Sequence, residues 1–326
     1  MAVRRYSVFG VSFWRQYMTT MRPYLLFVSG SAGMVGLSFV ERGEIWRTIL
    51  AFIPLFLSYG LGQALTDCFQ TDTDALSSPY RPLVRQTISR KQVLSVSMIG
   101  LAAGVAILGY LNPVILIFGS AAVLGLLTYT IFKRTWWGGP PWNSWIVALL
   151  PVIGRLTDRV YDIREVFNLA NQDSRAFFFV IMAVFFGYAN FVVMGYFKDI
   201  SADRATGYRT FPVAFGWGAT AVYSDLLALG AAIFAGLALL SVSGFGIVGL
   251  IIYASAVLLS IYAQIRIHLT RDERQAHKPI ADVVRVFNLY SAAIVVTLQL
   301  SWLPVITVYY ILFELVLKFR PEESQV

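Results

Sequence analysis

Residues 175–204 read RAFFFVIMAVFFGYANFVVMGYFKDISADR, an apolar run that ends directly in two aspartates four positions apart, Asp199 and Asp203. From Ala176 to Phe197 there is no charged side chain. That length suffices for a helix to cross a hydrocarbon core about 30 Å thick, and a soluble domain would have to bury such a helix on every face. The composition extends the reading to the whole chain. Of 326 residues, 57% are hydrophobic and 13% charged, and the mean hydropathy is +0.66. A soluble domain carries about a quarter charged residues.

A window of about 19 residues moved along the chain predicts nine spans, at residues 23–40, 48–66, 93–111, 112–132, 142–156, 175–197, 219–242, 245–265 and 288–315. The expected fold is an all-α membrane protein, a single domain over residues 1–326 with nine transmembrane helices around a central cavity. The third and fourth spans meet at Leu111-Asn112-Pro113, a turn with proline poised at a helix start, and the seventh and eighth at 241–246. The first span is too long for a signal-peptide core and is read as retained.

Basic residues test the count. Eighteen of the 26 Lys and Arg fall in the N-terminal segment and the loops on its side: Arg4, Arg5, Arg15 and Arg22, then Arg81 to Lys91, Lys133 and Arg134, Lys198 to Arg209, and Arg266 to Arg285. The positive-inside rule places these in the cytoplasm and, with nine spans, the C-terminus on the opposite side. The net charge of +8 is then explained by loops at an anionic leaflet, without nucleic acid as a partner. The exception among the outer loops is 157–174, with Arg159, Asp162, Arg164 and Glu165, which fits an interfacial helix or a solvated loop. Cys68 is the sole cysteine, so no intramolecular disulfide forms. His268 and His277 are read into a polar loop without a third ligand, which argues against zinc.

Carboxylates beside spans are costly unless they act, and here they gather in two loops, 67–92 and 198–218. The first begins Thr66-Asp67-Cys68-Phe69-Gln70-Thr71-Asp72-Thr73-Asp74 and continues to Arg81-Pro82. The second begins Lys198-Asp199-Ile200-Ser201-Ala202-Asp203 and continues to Arg209 and Pro212. Each follows an even-numbered span, a weak internal repeat about 132 residues apart, from 67 to 199. If the second span's helix runs on, Asp67, Gln70 and Asp74 share one face, as do Asp199 and Asp203, while Asp72 points off it. Two such faces opposed across a cavity suit Mg²⁺, which takes one or two carboxylates and completes its shell with water and phosphate oxygens. Arg81, Arg209 and Lys133 are placed to neutralise a diphosphate.

At these residues the chain resembles the UbiA superfamily of membrane prenyltransferases, whose members share nine transmembrane helices and motifs of the forms NDxxDxxxD and DxxxD. The second motif is complete within YFKDISADRATGYRTFPVAFG, residues 196–216, and a Tyr four residues before a Lys recurs as Tyr129 and Lys133. The first departs at two places: Thr66 stands for Asn and Gln70 for Asp, which removes one negative charge.

The resemblance implies catalytic and metal-binding roles for Asp67, Asp74, Asp199 and Asp203, with Gln70 as a neutral metal ligand. Arg81, Lys133, Arg209 and Lys198 would bind diphosphate. Thr66, Asp72, Tyr129, Tyr188 and Asn190 are candidate cavity residues. The implied reaction is Mg²⁺-dependent ionisation of an isoprenoid diphosphate and transfer of the prenyl group to an aromatic or lipid-like acceptor, with release of pyrophosphate. A cyclase that closes the cation on its own chain, and a transporter, are the alternatives. Outside the motifs, Trp136, Trp137 and Trp142 read as an interfacial belt, Gly30, Gly33 and Gly36 as a packing face, and Asp225, inside the seventh span, as held by packing or a polar partner rather than by function.

Overall fold

The computed structural model describes residues 5–40, 44–158, 164, 168–242 and 246–320. The regular elements are helices: α1 (Val11–Met21), α2 (Leu26–Ser38), α3 (Ile45–Asp67), α4 (Thr71–Ser77), α5 (Arg90–Leu111), α6 (Ile115–Lys133), α7 (Gly139–Arg155), α8 (Gln172–Tyr196), α9 (Ile200–Ala205), α10 (Phe211–Ser241), α11 (Ile247–Leu269), α12 (His277–Leu298) and α13 (Leu303–Lys318). Eight helices are long and apolar enough to cross a bilayer, namely α3, α5, α6, α8, α10, α11, α12 and α13, and the apolar stretch Pro23–Ser38 is shorter. The chain is an integral, multi-pass membrane protein. The basic residues Arg4, Arg42 and Arg159, the acids Asp162 and Glu165, and the 243–245 part of the seventh turn lie outside the described residues.

Most boundaries follow from local chemistry. Ser89 and Gln92 form a reciprocal capping box that starts α5. At the expected turn, the Asn112 side chain accepts from the Val114 amide at 3.1 Å and donates to the Leu156 carbonyl at 2.8 Å. Gly216, at φ 79°, bends α10 where the loop turns into the span.

The last expected span is instead two helices. Pro304 sits in the first turn of α13, where its missing N–H costs nothing, and Gln299 to Trp302 make the turn before it. Hydropathy runs through this turn because Leu300, Trp302 and Leu303 are apolar. It also misses the first half of α12, where Asp282 and Arg285 are paired with Arg266 and Glu314.

The split changes where the last described helix ends. Tyr309 donates to the Phe27 carbonyl at 2.8 Å, Phe313 packs on Phe27, and α13 touches the Pro23–Leu25 turn. Helix α13 therefore runs antiparallel to α2 and ends on the face that carries the aspartate loops, not the opposite one. Lys318 and Arg320 thereby join the basic side.

Helix α2 is the axis of the bundle, with every residue buried. It can be because its packing face is glycine. A side chain at Gly33 would strike Leu55 of α3, and one at Gly36 would strike the Pro151 backbone of α7. Backbone cannot move aside as a side-chain tip can. Gly36→Leu is accordingly expected to destabilise the fold by about 1–3 kcal/mol, read as a lowered thermal midpoint in detergent. A midpoint equal to wild type would mean that α2 and α7 are not in register as described.

Candidate active site

Both aspartate motifs are built on the same device, a long helix that stops and a short one that restarts at once. Helix α3 ends at Asp67, the chain breaks at Gln70 (φ −124°, ψ 18°), and α4 begins at Thr71. Helix α8 ends at Tyr196, the chain breaks at Asp199 (φ −116°, ψ 8°), and α9 begins at Ile200. The first helix thus does not run on through its motif. Its residues reach one wall because the break redirects them. The breaks also set the register of the repeat. Gln70 and Asp199 are the two N-cap residues, and Asp74 and Asp203 are the fourth residues of the two short helices. In each case the carboxylate residue's amide donates to the cap carbonyl, at 2.9 and 2.8 Å. The structural repeat is 129 residues (70 to 199, 74 to 203) rather than the 132 that aligning Asp67 with Asp199 implies.

The short helices pack on each other. Thr73 donates to Asp203 at 3.2 Å and bonds Thr206 at 3.0 Å, while Thr210 donates to the other Asp203 oxygen at 3.1 Å. Outside this seam, Tyr208 and Arg134 both bond Asp72, each at 3.3 Å. The two loops therefore close one end of the bundle as a single piece.

Beneath them lies a cavity of about 700 Å³ between α1, α3, α5, α6, α7 and α8. Its body is apolar and its closed end is charged. Asp67, Gln70, Asp74, Arg81, Lys133, Lys198 and Asp199 all line that end, together with Thr66, Tyr129 and Tyr188. Arg81 ion-pairs with Asp74 and lies 3.8 Å from Asp67. Arg22 meets Asp67 at 3.2 Å, and Gln63, one turn earlier on α3, donates to it at 2.6 Å. Lys133 donates to Gln70 Oε1 at 2.8 Å and stands over the rings of Tyr196 and Tyr208 at 5.9 and 5.5 Å.

Burial is the largest influence on the charges in the loops. It raises the Asp74 carboxyl above the usual range despite Arg81, and pushes Asp203 up to about 6 against the pull of Lys133. It lowers Lys198 to about 7, with Asp199 opposing and Arg22 and Arg81 assisting. At Arg81, burial disfavours the charge, but Asp74 and Asp67 outweigh it and the shift is upward.

Four expected site residues face elsewhere. Asp203 is fully buried behind the wall, with both carboxylate oxygens taken by threonine hydroxyls. Asp72 is exposed on the outer clasp with Arg134. The Arg209 side chain is exposed and only its amide is engaged, by the Arg134 carbonyl. Asn190 points from α8 into a buried knot with Ser224 and Gln264. Since Arg209 lies off the wall, Arg209→Ala is expected to leave the donor KM within about twofold of wild type, as for surface charges in general; a rise beyond tenfold would return it to the site. Asp225 does find a polar partner, His268, at 2.7 Å, so His268 belongs to α11 and not to a loop.

Other residues emerge only in three dimensions. Arg22 ends α1 in the left-handed region (φ 52°) and turns its side chain to the wall. The available signal was the dipeptide Arg22-Pro23, which recurs as Arg81-Pro82. Tyr59, Asn143 and Tyr196 complete the aromatic middle of the cavity, where Tyr188 donates to Tyr59 at 3.2 Å and Asn143 to Tyr188 at 3.4 Å.

Chemically, the charged end offers only oxygen donors and nitrogen cations. Among the described residues no three Asp, Glu, His or Cys side chains are grouped closely enough to cage a metal alone. The arrangement suits Mg²⁺, which takes few protein carboxylates and fills its shell from a phosphate-bearing substrate.

Residues 26–292 match the UbiA prenyltransferase family; α1 and α13 lie outside that stretch. Digeranylgeranylglyceryl phosphate synthase of Thermococcus kodakarensis is 24% identical over 274 residues, 81% of this chain and 91% of the relative. That of Halobacterium salinarum is 30% identical over 217 residues, 65% and 73% respectively. In fold, the chain is similar to a UbiA homologue from Aeropyrum pernix (TM-score 0.70, 19% identity, 83% of this chain and 96% of that one). It is also similar to a UbiA homologue from Archaeoglobus fulgidus bound to GPP and Mg²⁺ (TM-score 0.64, 17% identity, 86% and 99%).

Proposed function

The chain belongs to the UbiA prenyltransferase family and is a Mg²⁺-dependent prenyl transferase; from that premise we propose that it moves the prenyl group of an isoprenoid diphosphate onto the hydroxyl of a glyceryl phosphate lipid. The observation that carries the reading is the cavity itself: about 700 Å³ of apolar space closed at one end by carboxylates and guanidinium and ammonium groups. An isoprenoid diphosphate has that polarity, with a charged head and a hydrocarbon tail. The acceptor class is supported by the digeranylgeranylglyceryl phosphate synthases among the relatives. It also fits a bundle whose cavity is walled by membrane helices, since such a lipid is already dissolved in the bilayer.

In this reading Arg81, Lys133 and Lys198 bind the diphosphate head, and the apolar tail lies along α3, α5 and α7. Asp67, Asp74 and Asp199 would hold Mg²⁺, which when bound neutralises charge on the diphosphate oxygens. The bond from C1 to the bridging oxygen breaks, and its electron pair leaves with pyrophosphate. Lys133 and Arg81 are in place to stabilise that leaving charge. The faces of Tyr129, Tyr188 and Tyr196 stand next to the charged end and favour the allylic cation by cation–π attraction. The acceptor oxygen then bonds to C1 and gives up its proton to the departing pyrophosphate. The two loops, clasped through Thr73, Asp203 and Asp72, keep bulk water from competing for the cation.

Pyrophosphate release by the purified protein, with Mg²⁺ or EDTA and with or without a prenylglyceryl phosphate acceptor, tests this directly. Release that needs both Mg²⁺ and the acceptor is expected, together with a product of summed mass. Release without acceptor would identify a cyclase instead, and release only with an aromatic acceptor would reassign the second substrate.

A further inference from the structure

The two motifs are copies of one device, a break and a short helix, and they differ in the residue that stands at the break. The N-cap of α4 is Gln70 and the N-cap of α9 is Asp199, and both line the charged end of the cavity. A carboxylate at 70 would complete the symmetry. Instead a neutral amide stands there, buried, and its oxygen is occupied by Lys133 at 2.8 Å.

We infer that Gln70 and Lys133 work as a unit that replaces a second divalent cation, so that this site takes one Mg²⁺ per bound donor. The inference rests on the reading of the cavity as a diphosphate site, and three features carry it. The Gln70 oxygen is held by an ammonium group, and a cation repels a second cation. Asp203, the other carboxylate of the second motif, is turned behind the wall, with Thr73 and Thr210 each donating to one of its oxygens. What remains convergent is the pair Asp67 and Asp74, which approach the same Arg81 nitrogen, with Asp199 on the same cavity wall.

The exchange also frees charge. An ammonium paired with a carboxylate is largely neutralised, whereas one moored by an amide keeps its full charge for a ligand. Gln70 fixes the position of Lys133 without itself cancelling the charge; the carboxylate that acts on the ammonium most strongly is Asp203, behind the wall. The rings of Tyr196 and Tyr208 beside it add to this mooring.

The test is a count of metal ions that does not depend on turnover. The full chain in detergent is titrated with Mn²⁺ in place of Mg²⁺, in the presence of a non-ionising thiolodiphosphate analogue of the donor, and bound Mn²⁺ is read by electron paramagnetic resonance. One Mn²⁺ per chain is expected for the wild type, and Gln70→Asp is expected to raise the count to two and introduce spin coupling between the ions. Two ions in the wild type would overturn the inference, as would a count that stays at one in a folded Gln70→Asp. If the variant fails to fold, the wild-type count alone decides. Failure of the functional reading is seen separately: a wild type that binds no analogue and releases no pyrophosphate refutes the diphosphate site itself, whereas a working transferase with two bound ions refutes only the role given to Gln70 and Lys133.

Discussion

Asp199→Ala is expected to lower kcat/KM by on the order of 10³-fold or more, with the protein still folded. Asp199 is the one carboxylate of the second motif that faces the cavity, so no neighbour on α9 can take its place. Asp203 is the nearest candidate, but its oxygens hold the seam between α4 and α9. The two aspartates should therefore fail differently. Asp199→Ala loses activity and Mg²⁺ dependence at an unchanged thermal midpoint. Asp203→Ala strands the Thr210 hydroxyl in a buried place and leaves Thr73 with Thr206 alone, which costs about 1–3 kcal/mol, and lowers the midpoint as well. Measuring both quantities on both variants separates a residue that acts on the substrate from one that holds the loops together. Equal midpoints and equal activity losses would show that both carboxylates serve the ligand directly.

Lys133→Met should cost roughly 10²–10³ in kcat, the range found when a buried donor to a developing oxyanion is removed. The lysine is almost fully buried at the end of α6, directed at the charged end by Gln70. Methionine keeps the stem volume and removes only the charge, so packing against Tyr196 and Tyr208 is preserved. Lys133→Arg is expected to restore part of the rate, because the charge returns while the planar fork no longer matches the Gln70 oxygen. A Met variant with wild-type kcat would mean that the ammonium does not meet the leaving group, and the polarity of the cavity would then need another explanation.

Much of this site was readable from the residues because its signals are local. The polar run after an apolar span marks a helix end, and Tyr129 and Lys133 share a face by spacing alone. Asp67, Asp74, Asp199, Arg81 and Lys198 were all found this way, and all line the cavity. Asp72, Asn190 and Arg209 were also named and lie elsewhere. Asp72 and Arg209 follow the breaks at Gln70 and Asp199, and the tilt of a short helix is set by its neighbour, not by its own residues. Asn190 stands before the second break, within α8, and spacing along one helix does not say which neighbour each face meets.

The end of the chain makes the same point. The mostly apolar residues 288–315 predict one span, yet a hydropathy average does not register a turn in which Leu300, Trp302 and Leu303 offset Gln299 and Ser301. Charged residues early in α12 concealed the start of that helix because their partners come from α11 and α13.

By itself, then, the sequence determined the solvent of this protein, the existence of two carboxylate motifs at one end of a helical bundle, and the kind of ligand they suit. These follow from burial energies and charges that belong to each residue wherever it sits. Only the tertiary structure decided that Arg22 joins the cavity wall, that Asp203 holds the seam instead of facing the cavity, that Gln70 is the counterpart of Asp199, and that α13 returns to the same face. Each of those depends on how far one helix is turned against another, and that angle is fixed by contacts between residues distant in the chain, such as Thr73 with Asp203 or Tyr309 with Phe27.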